Sequence, residues 1–136
     1  LTEIIDDNVS VDDGITYKFR SPGVSDHAGY FTVIGVPDPI AFMLNSKEME
    51  SFQWITGLMT SWSRQLEDGA PISRIIADMK ETFQPGGDYI IPDGSGRKVH
   101  SVVHHLGLIL ERHMIEVKKI YAQKLQEGEK DGTRNH

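Results

Sequence analysis

The chain has 136 residues, no cysteine and a formal net charge of −6. That length builds one hydrophobic core and one domain, and the lack of thiols excludes a disulfide frame, a thiolate metal site and dithiol redox chemistry. The acidic balance disfavours a duplex-DNA surface, which works by neutralising phosphates with clustered Lys and Arg.

The first segment, Leu1 to Asp13, is acidic and lacks a continuous apolar stretch, unlike a secretory signal or transit peptide. It reads as flexible. No later run approaches the ~20 apolar residues of a membrane helix, so a cytoplasmic protein is expected. In Ile15-Thr16-Tyr17-Lys18-Phe19-Arg20 apolar and polar residues alternate as in a half-buried strand. Ser21-Pro22-Gly23 breaks this run, and Tyr30-Phe31-Thr32-Val33-Ile34 predicts a second strand. After the turn at Pro37-Asp38-Pro39, the wholly apolar Ile40-Ala41-Phe42-Met43-Leu44 predicts a third, placed centrally in an antiparallel meander.

The period then changes from two to about 3.6. Asn45 or Ser46 is expected to cap a helix, with Glu48 as the capping-box acid. Phe52, Ile55, Met59, Trp62 and Leu66 form its apolar stripe, and Asp68-Gly69 ends it. Pro71 opens a second helix, with Ile72, Ile75, Ile76, Met79 and Phe83 on its apolar face. Gln84-Pro85-Gly86-Gly87 stops that helix. Tyr89-Ile90-Ile91 and Arg97-Lys98-Val99 flank Pro92-Asp93-Gly94-Ser95-Gly96 as a loose hairpin or glycine-rich loop.

A third helix starts near Ser101, and its apolar side continues through Val117, Ile120, Tyr121 and Leu125, more than one small domain covers. A homodimer through this last helix is therefore expected. The polar tail 127–136 reads as disordered. The fold class is α+β: a small antiparallel sheet of three main strands, plus a possible short hairpin, packed against three amphipathic helices. One domain spans residues 14–126.

The strongest candidate ligand site is Asn45-Ser46-Lys47, where a cap amide, a hydroxyl and a cation meet the free N–H groups of a helix start. Lys18 and Arg20, on the polar side of the first strand, and His27 from the next loop are candidates to face the same anion or nucleotide. The alternative is that Asn45 only caps, Lys47 is solvated, and Lys18 and Arg20 guard a sheet edge. Trp54 lies off the main helix stripe, so it is either an exposed docking anchor or part of a second core face. His100 and His104 are spaced i,i+4, but no third ligand completes a metal set, and no metal or cofactor is expected. The plainer reading of the late histidines has His104 or His105 facing solvent and His113 packed at an interface. Pairs such as Asp26 with His27 lack a third, orienting group, so a hydrolase is disfavoured and no catalytic residue is assigned.

Six words of the chain, in order, carry a resemblance. They are Gly14-Ile15-Thr16-Tyr17-Lys18-Phe19, Ser25-Asp26-His27-Ala28-Gly29-Tyr30, Leu44-Asn45-Ser46-Lys47-Glu48-Met49, Ser51-Phe52-Gln53-Trp54-Ile55, Phe83-Gln84-Pro85-Gly86-Gly87 and Leu110-Glu111-Arg112-His113-Met114. Over about residues 14 to 114 the chain resembles the TSCPD domain near the C-terminus of adenosylcobalamin-dependent (class II) ribonucleotide reductases. The resemblance implies an appendage, not the barrel in which cobalamin and cysteine chemistry occur. In that family a cysteine-bearing tail often follows; here a charged helix, Glu116 to Gln126, takes its place. The implied function is a non-catalytic accessory domain that docks on a reductase catalytic subunit. The alternative is a stand-alone protein that binds a nucleotide or nucleotide signal, as a phage or host regulator.

Overall fold

The computed structural model describes the backbone of residues 14–134 and the side chains of residues 14–127. The segment 1–13, expected to be flexible, lies outside the described residues. The fold is α+β, with a three-stranded antiparallel sheet, a two-stranded hairpin and three helices.

Alternation builds the sheet. β1 (Gly14–Phe19), β2 (Gly29–Ile34) and β3 (Ala41–Ser46) pair in the order β1-β2-β3, with Tyr17 opposite Phe31 and Phe31 opposite Leu44. Directly paired residues share a face. Ile15, Tyr17 and Phe19, with Phe31, Val33, Phe42 and Leu44, therefore make a continuous buried inner face. The other face is open, and its row Lys18, Tyr30, Asn45 is exposed. The third strand is an edge strand rather than the central one expected. Its apolar run misled because Met43 points to the open face and is 57% exposed. A glycine enables the close packing at the end of β2: a Cβ on Gly29 would lie 2.3 Å from the Phe19 ring.

The expected helix start at Asn45-Ser46 does not occur. Both residues close β3, a 3-10 turn follows at Glu50–Phe52, and α1 runs over Gln53–Glu67 with no side-chain cap. The polar groups meant for capping are engaged locally. Asn45 Oδ1 accepts from the Ser46 N–H at 2.9 Å, and Ser46 Oγ donates to the Ala28 carbonyl at 2.9 Å, tying β3 to the approach of β2. Glu48 accepts from the hydroxyls of Ser25 and Ser51, which together hold its carboxyl below the usual range. Competition of this kind from short polar side chains is why they make ambiguous cap signals.

α1 packs on β3 through Ile55, Met59 and Trp62, and Ser63 Oγ accepts the Phe42 N–H at 3.1 Å. α2 (Ile72–Lys80) begins after Pro71 as expected and buries Ile75 and Met79 against α3. Phe83 is not on its face: it lies beyond the helix end, is 70% exposed and stacks on His100 with ring centroids 4.2 Å apart. β4 (Tyr89–Ile90) and β5 (Lys98–Val99) form the hairpin.

α3 spans Val102–Arg134. It continues through most of the stretch read as a disordered tail, because Ala122 to Glu127 are strong helix formers that propagate an established helix. Its first half is core, with Val102, Val103, Leu106 and Leu110 fully buried. Val117 is buried too, so the outward apolar surface of the later helix is Ile115, Tyr121 and Leu125. Among the described residues no helix is long and apolar enough to cross a membrane.

Candidate functional site

β1 is an edge strand, and α3 passes its inner face in the opposite direction, with Tyr17 over His113 and Phe19 over His105. The two repeats do not match. Eight residues of helix rise about 12 Å, while two residues of strand advance only about 6.7 Å. Two strand side chains thus bridge two helical turns, and the space between them is a pocket of about 520 Å³. The loop after β4 closes one side with Ile91, Pro92 and Asp93, and Ile109 forms the wall midway along the helix.

The pocket has a buried floor and an exposed rim. Tyr17, Phe19, His105 and His113 make the floor; Lys18, Arg20, Asp93, Arg112 and Glu116 stand at the rim. Two tyrosine–histidine pairs fix the floor. Tyr17 Oη lies 2.5 Å from His113 Nδ1, and Tyr89 Oη lies 2.6 Å from His105 Nδ1. Burial, with a smaller push from Glu116, raises the Tyr17 phenol to about 12. Burial lowers His113 to about 4, and lowers His105 to about 4 against the opposing pull of Asp93. At neutral pH both imidazoles are therefore uncharged and both phenols keep their protons.

The tautomer follows from the available partners. Each phenol donates to the facing Nδ1, which leaves the hydrogen of each imidazole on Nε2. In His113, which is only 1% exposed, that Nε2 is buried without a hydrogen-bond partner among the described residues. An unmet buried donor costs about 1–3 kcal/mol, and such groups concentrate where function retains them.

At the rim three cations face two acids. Among the described residues neither Arg20 nor Arg112 forms a salt bridge; the ion pairs there are Lys80–Glu111 and Lys98–Asp88. The arrangement suits an anion held in front of an apolar, aromatic floor. Both floor histidines are oriented by phenols rather than carboxylates.

The structure divides the residues expected to share one ligand. Lys18 and Arg20 line the pocket. Asn45 lies on the open face of the sheet, Ser46 is buried on the inner face, and Lys47 and His27 are exposed outside the pocket lining. Asn45-Ser46-Lys47 ends a strand, so the anion-binding helix terminus expected there is absent. Trp54 is 40% exposed, so part of its ring faces outward. His104 and His105 are both buried, contrary to the solvent-facing reading. His104 Nδ1 accepts the His100 N–H at 3.0 Å and the two rings stack. Among the described residues no three His, Asp or Glu side chains gather as a metal set.

Sequence reasoning missed Arg112, His113, Ile109 and Asp93 as site residues. A signal was present in α3, where His105, Ile109, Arg112 and Glu116 recur at helical spacing and mix a buried ring with charges on one face. No family model matches the chain, and no curated protein or solved structure matches it.

Proposed function

We propose that this chain is a non-catalytic accessory domain of nucleotide metabolism whose working part is the pocket between β1 and α3, where it binds a nucleotide. One observation carries the reading. Two of the words that resemble the reductase domain, Gly14 to Phe19 and Leu110 to Met114, supply Tyr17, Lys18, Phe19, Arg112 and His113 to a single pocket, although Tyr17 and His113 are 96 positions apart. The floor accepts a planar apolar body, and Arg20 and Arg112 favour an anionic end. A thermal-shift panel of nucleotides tests this directly. A ligand at 100 times its Kd adds about 2.7 kcal/mol of stability, so the midpoint rises measurably; no rise with any nucleotide refutes the reading.

A second reading, docking on a ribonucleotide reductase catalytic subunit, is favoured by the 40% exposure of Trp54 on α1. Exposed tryptophans are frequent binding anchors. Trp54→Ala is expected to keep the fold, as checked by circular dichroism, although it gives up the packing of the buried part of the ring. It should abolish recovery of a reductase chain in a pull-down, and equal recovery by the variant removes the docking reading.

A further inference from the structure

We propose that the pocket selects a nucleoside monophosphate, with the base against Phe19, Ile109, Ile91 and Pro92 and the single phosphate at the rim on Arg20 and Arg112. This rests on the nucleotide reading above and narrows it. The floor decides the first part. Its apolar and aromatic walls offer a flat base a desolvated surface, whereas a bare sugar phosphate would leave its hydroxyls facing carbon.

The rim decides the second part. Arg20 and Arg112 form no ion pair among the described residues, so a phosphate gains charge-assisted hydrogen bonds without breaking any. Asp93 and Glu116 stand on the same rim and repel each further phosphate. Each added phosphate widens the excess of negative charge over the rim's cations.

Calorimetric titration of the full chain at low ionic strength tests this, with uridine, uridine 5′-monophosphate, uridine 5′-triphosphate and ribose 5-phosphate as probes. The monophosphate is expected to bind about tenfold or more tighter than uridine or ribose 5-phosphate, the value of one charge-assisted contact. The triphosphate should bind more weakly than the monophosphate. In R20Q and R112Q the ratio of monophosphate to uridine affinity should fall to about threefold or less, and circular dichroism should confirm an unchanged fold, as both side chains are exposed. A triphosphate that binds as tightly as the monophosphate, a ribose 5-phosphate that matches it, or a ratio unmoved in both variants overturns the proposal. Failure of every probe, and of the wider nucleotide panel, instead removes the nucleotide reading beneath it.

Discussion

Tyr17→Phe isolates what the pocket floor contributes to the fold. The substitution removes one hydroxyl from a residue that is 6% exposed and 2.5 Å from His113 Nδ1. The ring stays, so the apolar contacts with α3 persist. What changes is that His113, whose Nε2 has no partner among the described residues, loses the side-chain partner of its Nδ1. Leaving a buried polar atom unsatisfied costs about 1–3 kcal/mol, which lowers the melting midpoint by roughly 3–15 °C for a domain of this size. His113→Leu separates the hydrogen bond from the packing: in the double variant both partners become apolar, and the combined loss should be at least about 1 kcal/mol smaller than the sum of the single losses. Guanidinium unfolding of the four proteins at pH 7.5, where the imidazoles are neutral, measures all four corners. A Tyr17→Phe loss under about 0.5 kcal/mol, or strictly additive losses, would refute the role given to the pair.

Acid should weaken the fold through the same rings. His105 and His113 are lowered to about 4 when folded, so the unfolded chain binds more protons between about pH 6.5 and 4; stability is full above that window and is lost as pH falls through it. Each ring contributes a slope of up to about 1.4 kcal/mol per pH unit, and His113→Leu should remove its share of that slope in unfolding curves taken across the window. Gly107→Ala is expected to destabilise by about 1–2 kcal/mol. Its Cβ would lie 2.8 Å from Met79 Cβ and 3.2 Å from the Lys80 backbone nitrogen, an overlap that outweighs alanine's helical advantage; a raised denaturation midpoint contradicts this. Light scattering is expected to show a homodimer joined through Ile115, Tyr121 and Leu125, which are 53%, 45% and 55% exposed on α3. Tyr121→Glu with Leu125→Glu should then give a 15.3 kDa particle, and a parent of that size at high concentration excludes the dimer.

Periodicity made most of the fold legible. Ile15, Tyr17 and Phe19 alternate because β1 has one dry face, and Ile55, Met59 and Trp62 recur at helical spacing because α1 lies on the sheet. The failures occur where local chemistry offers two solutions. Asn45-Ser46 with Glu48 satisfies a capping pattern, but the same groups also close a strand, and pairing with Tyr30 and Gly29 won. Phe83 continued the spacing of α2 but found a stacking partner in His100 after the helix had ended. Ile40 to Leu44 carried no alternation at all, so nothing in that run showed that one side would remain open. The site was half legible. Lys18 and Arg20 were visible as charges on the strand, but the floor depends on a strand meeting a helix 96 positions later, which no local window contains.

The position of the pocket ties its stability to the binding chemistry proposed for it. α3 meets β1 through the ring pairs Tyr17–His113 and Phe19–His105, and the helical and strand repeats do not stay in step over two turns. A chain that filled the gap with aliphatic residues would recover the cost of the unmet His113 donor and gain buried apolar area. Tyr17 and His113 are instead polar where the core borders the pocket, and Arg20 and Arg112 stand at its rim without an acid partner among the described residues. Departures from consistent packing of this kind are expected where function constrains the sequence. The contrast with the opposite edge of the sheet supports that assignment. There β3 meets α1 through Phe42, Ile55 and Met59, all nearly or fully buried, and Ser63 satisfies a backbone N–H that would otherwise be exposed or orphaned. One edge of the sheet is sealed by packing against α1, and the other opens onto the pocket.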